Sequence, residues 1–384
     1  MDTPLLFRPL SLRGVPLRNR IVISPMCQYS AVDGLASDWH LVHLGRFALG
    51  GAGTVFVEAT AVHPRGRITH GDLGLWSDSQ IPPLRRIARF LAEHGAVPAI
   101  QLAHAGRKAS MQRPWHGNGP IDDADRARGE DAWPVVAPSA LPMDEGWLVP
   151  RELSSAEMAA LREAWRQAAV RALESGFEIV ELHAAHGYLL HEFLSPLSNR
   201  RGDAYGGDRA GRMRFPLEVA ETLRAVWPQD RPVFVRVSAV DGIEGGWTLE
   251  DTVAFARELK ARGVDLVDCS SGGLAGSATA ARVPRGPGFQ VPFAARIRRE
   301  AELMTMAVGL IVEPQQAEDI LKTGQADLVA IGREALFDPN WPAHAELALG
   351  ASRDPFASWP VQHGWWLERR ERALRALRDK AAAG

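Results

Sequence analysis

Cysteine is nearly absent from this 384-residue chain, which has only Cys27 and Cys269. Two thiols argue against a disulfide framework and exclude a large iron–sulfur cluster held by the chain's own thiolates; they fit a reducing cytoplasm. Excess charge is absent too. Lys and Arg total 44 against 46 Asp and Glu, a net charge of −2, so no general attraction to nucleic acid or anionic lipid is implied. No apolar run approaches the roughly 18 residues that a membrane span needs. Residues 1–10 lack the basic and apolar regions of a signal peptide, so a cytoplasmic location is expected, with neither membrane nor nucleic acid as partner. No G-x-G-x-x-G follows a strand-like run, which argues against a dedicated dinucleotide-binding unit. Low-complexity tracts and short internal repeats are also missing.

What is present is alternation. Short β-rich runs occur at residues 20–25, 54–58, 97–102, 178–182, 233–237, 265–269, 304–308 and 327–331. Amphipathic helical stretches lie between most of them, at 39–49, 83–94, 156–175, 208–226, 248–262, 293–301 and 314–322. Gly176 and Gly263 stand just beyond two of these helices, and Ser154 or Ser155 suits an N-cap. Eight strands alternating with helices predict a parallel sheet closed into a (β/α)8 TIM barrel forming one domain over 1–384; a doubly wound open sheet is the rival. Two segments stand outside the repeat. Residues 103–153 form a long excursion after the third strand, and 355–384 form a charged C-terminal helical extension.

Barrel enzymes build their sites at the C-terminal ends of the strands. There the first strand ends in Ser24, Pro25, Met26, Cys27, Gln28 and Tyr29, and the second in Glu58 and Ala59. The third carries Gln101, followed by His104, Arg107 and Lys108. The fourth delivers "HAAHGY", hence His183, His186 and Tyr188, and the sixth Ser270 to Gly273. The seventh ends at Gly309 and the eighth at Gly332 and Arg333, on the side where many barrels bind phosphate through backbone N–H groups. Arg236 interrupts the apolar run "VFVRV". It requires either an anionic or accepting ligand or an ion pair with a neighbouring strand's carboxylate such as Glu181, and both readings stand. The histidine pair has three readings: a metal site, for which further ligands are not evident; ordinary core histidines; or two N–H donors converging on one substrate oxygen, with Tyr188 as general acid.

These residues fall in long motifs that resemble a known family. From "LFRPLSLRGVPLRNRIVISPMCQYS" through "GRITHGDLGLWSD", "IQLAHAGRKAS", "HAAHGYLLHEFLSPLSNRRGDAYGG", "VFVRVS" and "DCSSGG" to "DLVAIGREAL", the chain resembles the old yellow enzymes, most closely the thermophilic-like and xenobiotic reductase subgroups. The resemblance implies a non-covalent FMN, reduced by NAD(P)H and reoxidised by an activated alkene in a ping-pong cycle. It places Ser24, Pro25, Met26, Cys27 and Ala59 along the flavin, and Gln101 and Arg236 at its pyrimidine edge. It gives the phosphate to Gly272, Gly309, Gly332 and Arg333. It assigns His183, His186 and Tyr29 to the substrate oxygen and Tyr188 to proton donation. Cys27 would tune the flavin. Trp366 is the residue that best matches a pocket tryptophan, with Trp365, Arg369 or Arg370 as alternatives, from this chain or a neighbour. Val308 replaces a second tryptophan, which implies a wider pocket. A homodimer or homotetramer is the family's usual assembly. The rivals are another FMN barrel dehydrogenase, a metal-dependent aldolase using His183 and His186, or a flavin-binding protein without catalysis.

Overall fold

In the computed structural model, which describes residues 3–275, 283–352 and 354–383, strand-forming and helix-forming segments take turns along the chain. The strands are β1 (Ile21–Ile23), β2 (Thr54–Ala61), β3 (Val97–Ala103), β4 (Ile179–Ala184), β5 (Val233–Ser238), β6 (Leu266–Ser270), β7 (Met304–Ala307) and β8 (Leu328–Ile331). All pair in parallel with their sequence neighbours, and β8 pairs with β1 to close the barrel. The helices outside are α1 (Asp38–Leu49), α2 (Ile81–Glu93), α3 (Ser155–Glu174), α4 (Arg209–Val226), α5 (Leu249–Ala261), α6 (Val291–Ala301), α7 (Pro314–Lys322) and α8 (Trp341–Ala348). Every anticipated strand forms, and the barrel, not the open sheet, is the architecture.

The period-2 alternation of the strands explains the layering. Val55, Val57, Val233 and Val235 face outward into the helix-packed core. Phe56, Ile179, Phe234, Leu266, Met306 and Leu328 face inward and form a separate apolar cluster. Phe56 and Phe234 meet across the barrel with ring centroids 6.1 Å apart. An antiparallel hairpin, Leu10–Leu12 with Val15–Leu17, plugs this cluster from the N-terminal end of the barrel. Two residues further along their strands, Gln101, Glu181, Arg236 and Asp268 take the next inward positions, so the barrel interior turns from apolar to polar in one step.

Helix ends follow local chemistry. Ser154 caps α3 by accepting from the Glu157 N–H, and Thr248 caps α5 by accepting from that of Asp251. The excursion over 103–153 contains a short helix, Asp123–Ala127, and a two-residue strand pair, Val136–Ala137 with Arg151–Glu152. A last helix, Val361–Ala383, follows the barrel. Among the described residues no helix is long and apolar enough to cross a membrane.

Three features differ from the sequence reading. The hairpin plug and the short helices Leu189–Leu194 and Arg333–Phe337 are too brief to leave a periodic signature. β4 does not stop at residue 182: it continues to Ala184 because His183 pairs in register with Arg236 of β5, so His183 projects from the strand itself. β2 carries a bulge, with its register against β3 shifting between Val57 and Ala59.

Phe234 is fully buried in the inner cluster. Phe234→Ala is expected to cost about 3–5 kcal/mol of stability in urea unfolding. A loss below about 1 kcal/mol would mean that the lower barrel interior is loosely packed.

Candidate active site

The fourth strand and its loop bring three rings together. The His183 and His186 centroids lie 5.1 Å apart and nearly perpendicular, and Tyr188 stands 5.0 Å from His183 in the same edge-on arrangement. Nδ1 of His183 accepts the Ala185 backbone N–H at 3.3 Å, so its proton sits on Nε2 and is free to donate. His186 adopts a left-handed backbone with φ +60°; its N–H donates to Ser238 Oγ, and its Nε2 lies 2.6 Å from Ser270 Oγ. Burial, and then the nearby Arg236, hold both imidazoles well below the ordinary histidine range. Both are therefore neutral, each with one N–H. Burial pushes the Tyr188 phenol well up, with Cys27 and Asp72 adding to the shift, so it keeps its proton.

Beside these rings lies a cavity of about 350 Å³. Ser24, Pro25 and Met26 after β1, the Ser270–Gly273 turn after β6, Val308 and Gly309 after β7, and Gly332 and Arg333 after β8 line it, together with His186 and Arg236. Gly309 has φ +123°, and a Cβ there would fall 2.9 Å from both Gln290 Nε2 and the Phe289 ring; a side chain would close the wall. Arg236 Nε lies 3.1 Å from Asp268 Oδ2, so the arginine's ion-pair partner is Asp268 rather than Glu181. Glu181 instead accepts from Gln101 Nε2 at 2.8 Å.

On the far side of Tyr188, Cys27 and Tyr29 join one apolar cluster with it. Cys27 keeps a partly accessible surface, yet enough protein surrounds it that burial, then Asp72 and Glu58, lift its thiol well above the usual range. Tyr29 holds φ +50°, and its carbonyl accepts from Arg113 Nε at 3.1 Å. The bulge in β2 aims Glu58 beneath this loop, where Oε1 accepts the Gln28 N–H at 3.0 Å and Oε2 faces His40 Nε2 at 3.9 Å.

Comparison with known proteins decides the family. The profile of the NADH:flavin oxidoreductase / NADH oxidase family matches residues 5–350. The chain belongs to the old yellow enzyme family. An NADPH dehydrogenase from Geobacillus sp. (strain WCH70) is 46% identical over 367 residues, 95% of this chain and 99% of that protein. Among solved structures, morphinone reductase superposes with a TM-score of 0.74 at 28% identity, covering 91% of both chains. A 2-naphthoyl-CoA reductase in complex with 2-naphthoyl-CoA superposes at a TM-score of 0.79 and 25% identity over 90% of this chain, which spans only 52% of that longer protein. This old yellow enzyme is thus an oxidoreductase with FMN as cofactor and NAD(P)H as reductant. The cavity fits such a ligand. Among the described residues, Ser24 Oγ is buried there without a hydrogen-bond partner and Arg236 Nε has no aligned one beside its ion pair with Asp268; Arg285 and Arg333 supply positive charge for a phosphate, and the glycines leave backbone exposed at the wall.

Of the residues expected at the flavin, Ser24, Pro25, Met26, Arg236, Gly272, Gly309, Gly332 and Arg333 line the cavity. Gln101 lies in the inward layer beneath it, and buried Ala59 stands in register beside Gln101. Cys27 lies with Tyr29 and Tyr188. Trp366 is not brought to this chain's cavity: it is 66% exposed on the terminal helix, as Trp365 is at 47%, with Arg369 stacked on the Trp365 ring. That helix is rich in Arg, and most of its residues are exposed. The metal reading needs more ligands near the histidine pair. Among the described residues, the one group able to share an ion is His116, Asp125 and Glu130 in the excursion, and it includes neither histidine. Sequence reasoning missed Gln290, which accepts from Ser271 Oγ and donates to the Val308 carbonyl. It also missed the supporting roles of Glu58 and Lys108. A carboxylate inside an otherwise apolar strand run was the available signal for Glu58.

Burial raises the Glu58 carboxyl to about 8, against the opposing Gln28 N–H. The folded state therefore holds this proton more tightly than the unfolded chain. The stability it carries is full below about pH 4.5 and is lost as pH rises through about 8. Glu58→Gln keeps the acceptor and cannot ionise, so it is expected to melt above the parent protein at about pH 8.5, by a margin that shrinks several-fold at about pH 5. Equal margins at the two pH values would show that Glu58 folds as an ordinary carboxylate.

Proposed function

We propose that this old yellow enzyme is an ene-reductase: it saturates the C=C bond of activated alkenes such as enones, enals, maleimides and nitroalkenes, using NAD(P)H. Bound FMN would supply the hydride chemistry that links NAD(P)H to the alkene carbon β to the activating group. The chain's own residues do the rest. His183 and His186 donate their N–H groups to the carbonyl or nitro oxygen and so draw electrons out of the double bond. Tyr29 closes the oxygen site from the opposite side. Tyr188, which keeps its proton at neutral pH, delivers it to the carbon α to the activating group. Arg236, in the cavity floor, would favour negative charge on a flavin bound there.

The observation that carries this reading is the pair of neutral, buried imidazoles beside the cavity, with a protonated phenol against one of them. Two N–H donors and an acid are what polarising and then protonating an alkene requires. Metal or core roles explain the phenol less well.

The test is an anaerobic assay with 2-cyclohexenone. Replacing His183 and His186 together with alanine is expected to lower kcat/KM at least about 100-fold and to remove the long-wavelength band that phenols give on the flavin. If turnover and the band both survive, the clamp is wrong. Tyr188→Phe is expected to slow alkene turnover by about 10²–10⁴. Because no separate dinucleotide unit is evident, NAD(P)H and the alkene are expected to take turns in one pocket and to give parallel double-reciprocal lines. Intersecting lines would mean simultaneous binding. Cys27→Ala is expected to keep FMN while shifting its reduction potential, and an unchanged potential would remove the tuning role.

A further inference from the structure

Lys108 is 2% exposed, and its ammonium is given over entirely to backbone. Nζ donates to the His186 carbonyl at 2.9 Å and to the Gly273 carbonyl. These two carbonyls belong to different loops, one after β4 and one after β6, and the loops touch backbone to backbone. A Cβ on Gly273 would lie 2.7 Å from His186 Cα, and a Cβ on Gly187 would lie 2.3 Å from the Gly273 oxygen and 2.9 Å from Lys108 Nζ. Two carbonyl dipoles converging at such short range repel unless a donor sits between them. Lys108, coming from the loop after β3, is that donor.

Its place matters because of what the two loops carry. His186 has the left-handed φ of +60°, a conformation that a residue with a Cβ holds only when its surroundings impose it. Gly273 closes the Ser270–Gly273 turn that forms one wall of the cavity. The Lys108 ammonium also lies 5.9 Å from the Tyr188 ring centroid. One side chain therefore ties the oxygen-binding histidine to the wall of the cofactor site.

We propose that Lys108 is the positioning residue of the oxygen clamp: by pinning the left-handed His186 backbone against the Gly272–Gly273 turn, it holds the imidazole in register with the cofactor cavity. This inference rests on the ene-reductase reading, in which His186 binds the substrate oxygen. Lys108 does not itself touch the substrate; it acts through His186.

That distinction sets the experiment, a double-mutant cycle on holoenzyme with phenol binding as the readout. The dissociation constant of 4-chlorophenol is followed by its long-wavelength absorbance in the parent, Lys108→Met, His186→Ala and the double variant, with FMN content measured near 450 nm. Lys108→Met is expected to retain FMN and weaken phenol binding on the order of 10- to 100-fold. In the double variant, binding is expected to fall no more than about threefold below His186→Ala alone, because the lysine has nothing left to position. Lys108→Arg keeps the charge and the donors and is expected to bind the phenol more tightly than Lys108→Met. Additive losses would overturn the proposal, as would a Lys108→Met protein that binds the phenol like the parent. Loss of FMN or of folding in both lysine variants would also overturn it, since Lys108 would then support the barrel rather than the clamp. If His186→Ala alone binds the phenol normally, the clamp reading itself falls, and this inference with it. If only Lys108→Met is silent, the clamp stands and Lys108 has no part in it.

Discussion

One guanidinium and two carboxyl groups buried in a single ring of side chains constrain the whole upper half of this barrel. Arg236, Asp268 and Glu181 face inward one step above the apolar cluster that contains Phe56 and Phe234. Charges so placed are costly unless they compensate one another. Burial, then mutual repulsion, raises the Glu181 carboxyl well above its ordinary range, while Arg236 opposes the shift; burial raises Asp268 as well, again against Arg236. The ring approaches neutrality when one of the two acids keeps its proton. Its bonding capacity remains unfilled even so. Among the described residues, Arg236 Nε, Glu181 Oε2 and both oxygens of Asp268 have no aligned hydrogen-bond partner. A polar-edged ligand in the cavity above completes such a ring, and this is the physical basis for an FMN site over the barrel mouth. The same arginine adds to burial in holding both imidazoles low, so the cofactor floor and the protonation state of the two histidines are linked.

Protonation in the site follows a single pattern. Tyr188, Tyr29, Cys27 and Glu58 are all pushed toward their proton-bearing forms, chiefly by burial, while His183 and His186 are kept from gaining one. The three rings of His183, His186 and Tyr188 are thus neutral dipoles, while burial lowers the Lys108 ammonium to about 7 and Asp72, raised only to about 6, still acts on Tyr188. In the proposed reaction, a substrate oxygen acquiring negative charge there would meet oriented N–H groups and the Arg236 guanidinium. A depressed imidazole is consistent with this role. An imidazolium would donate more strongly, but burial and the neighbouring Arg236 both disfavour its charge.

Much of this was legible in the chain because strand residues obey a simple rule. Alternation put Val22, Phe56, Phe234 and Leu328 inside the barrel, and the same count put Gln101, Glu181, Arg236 and Asp268 one layer higher. The eight runs and their intervening helices were readable from periodicity for the same reason. What escaped notice obeys no period. The bulge that turns Glu58 under the Cys27–Tyr29 loop is one extra residue in β2, visible only once β3 is laid beside it. The extension of β4 through His183 depends on a pairing with Arg236, a contact between positions 53 residues apart (236 − 183). The exposure of Trp366 on the terminal helix is a matter of tertiary packing, about which helical periodicity alone says nothing.

The site therefore uses two kinds of precision. Residues on strands, such as His183 and Arg236, are located by register, and the hydrogen-bonded ladder tolerates little drift. Residues on loops have no ladder. His186 and Tyr29 both hold left-handed backbones that they would not adopt alone, and each is fastened by side chains reaching in from another segment: Lys108 and Ser238 at His186, Arg113 and Glu58 at or beside Tyr29. Lys108 and Arg113 both come from the excursion after β3. Its length is thus explained by support as well as by covering the site, since it crosses the barrel mouth and anchors loops from three other strands. A shorter connection could still close the barrel, but it would leave the His186 and Tyr29 loops without these fastenings.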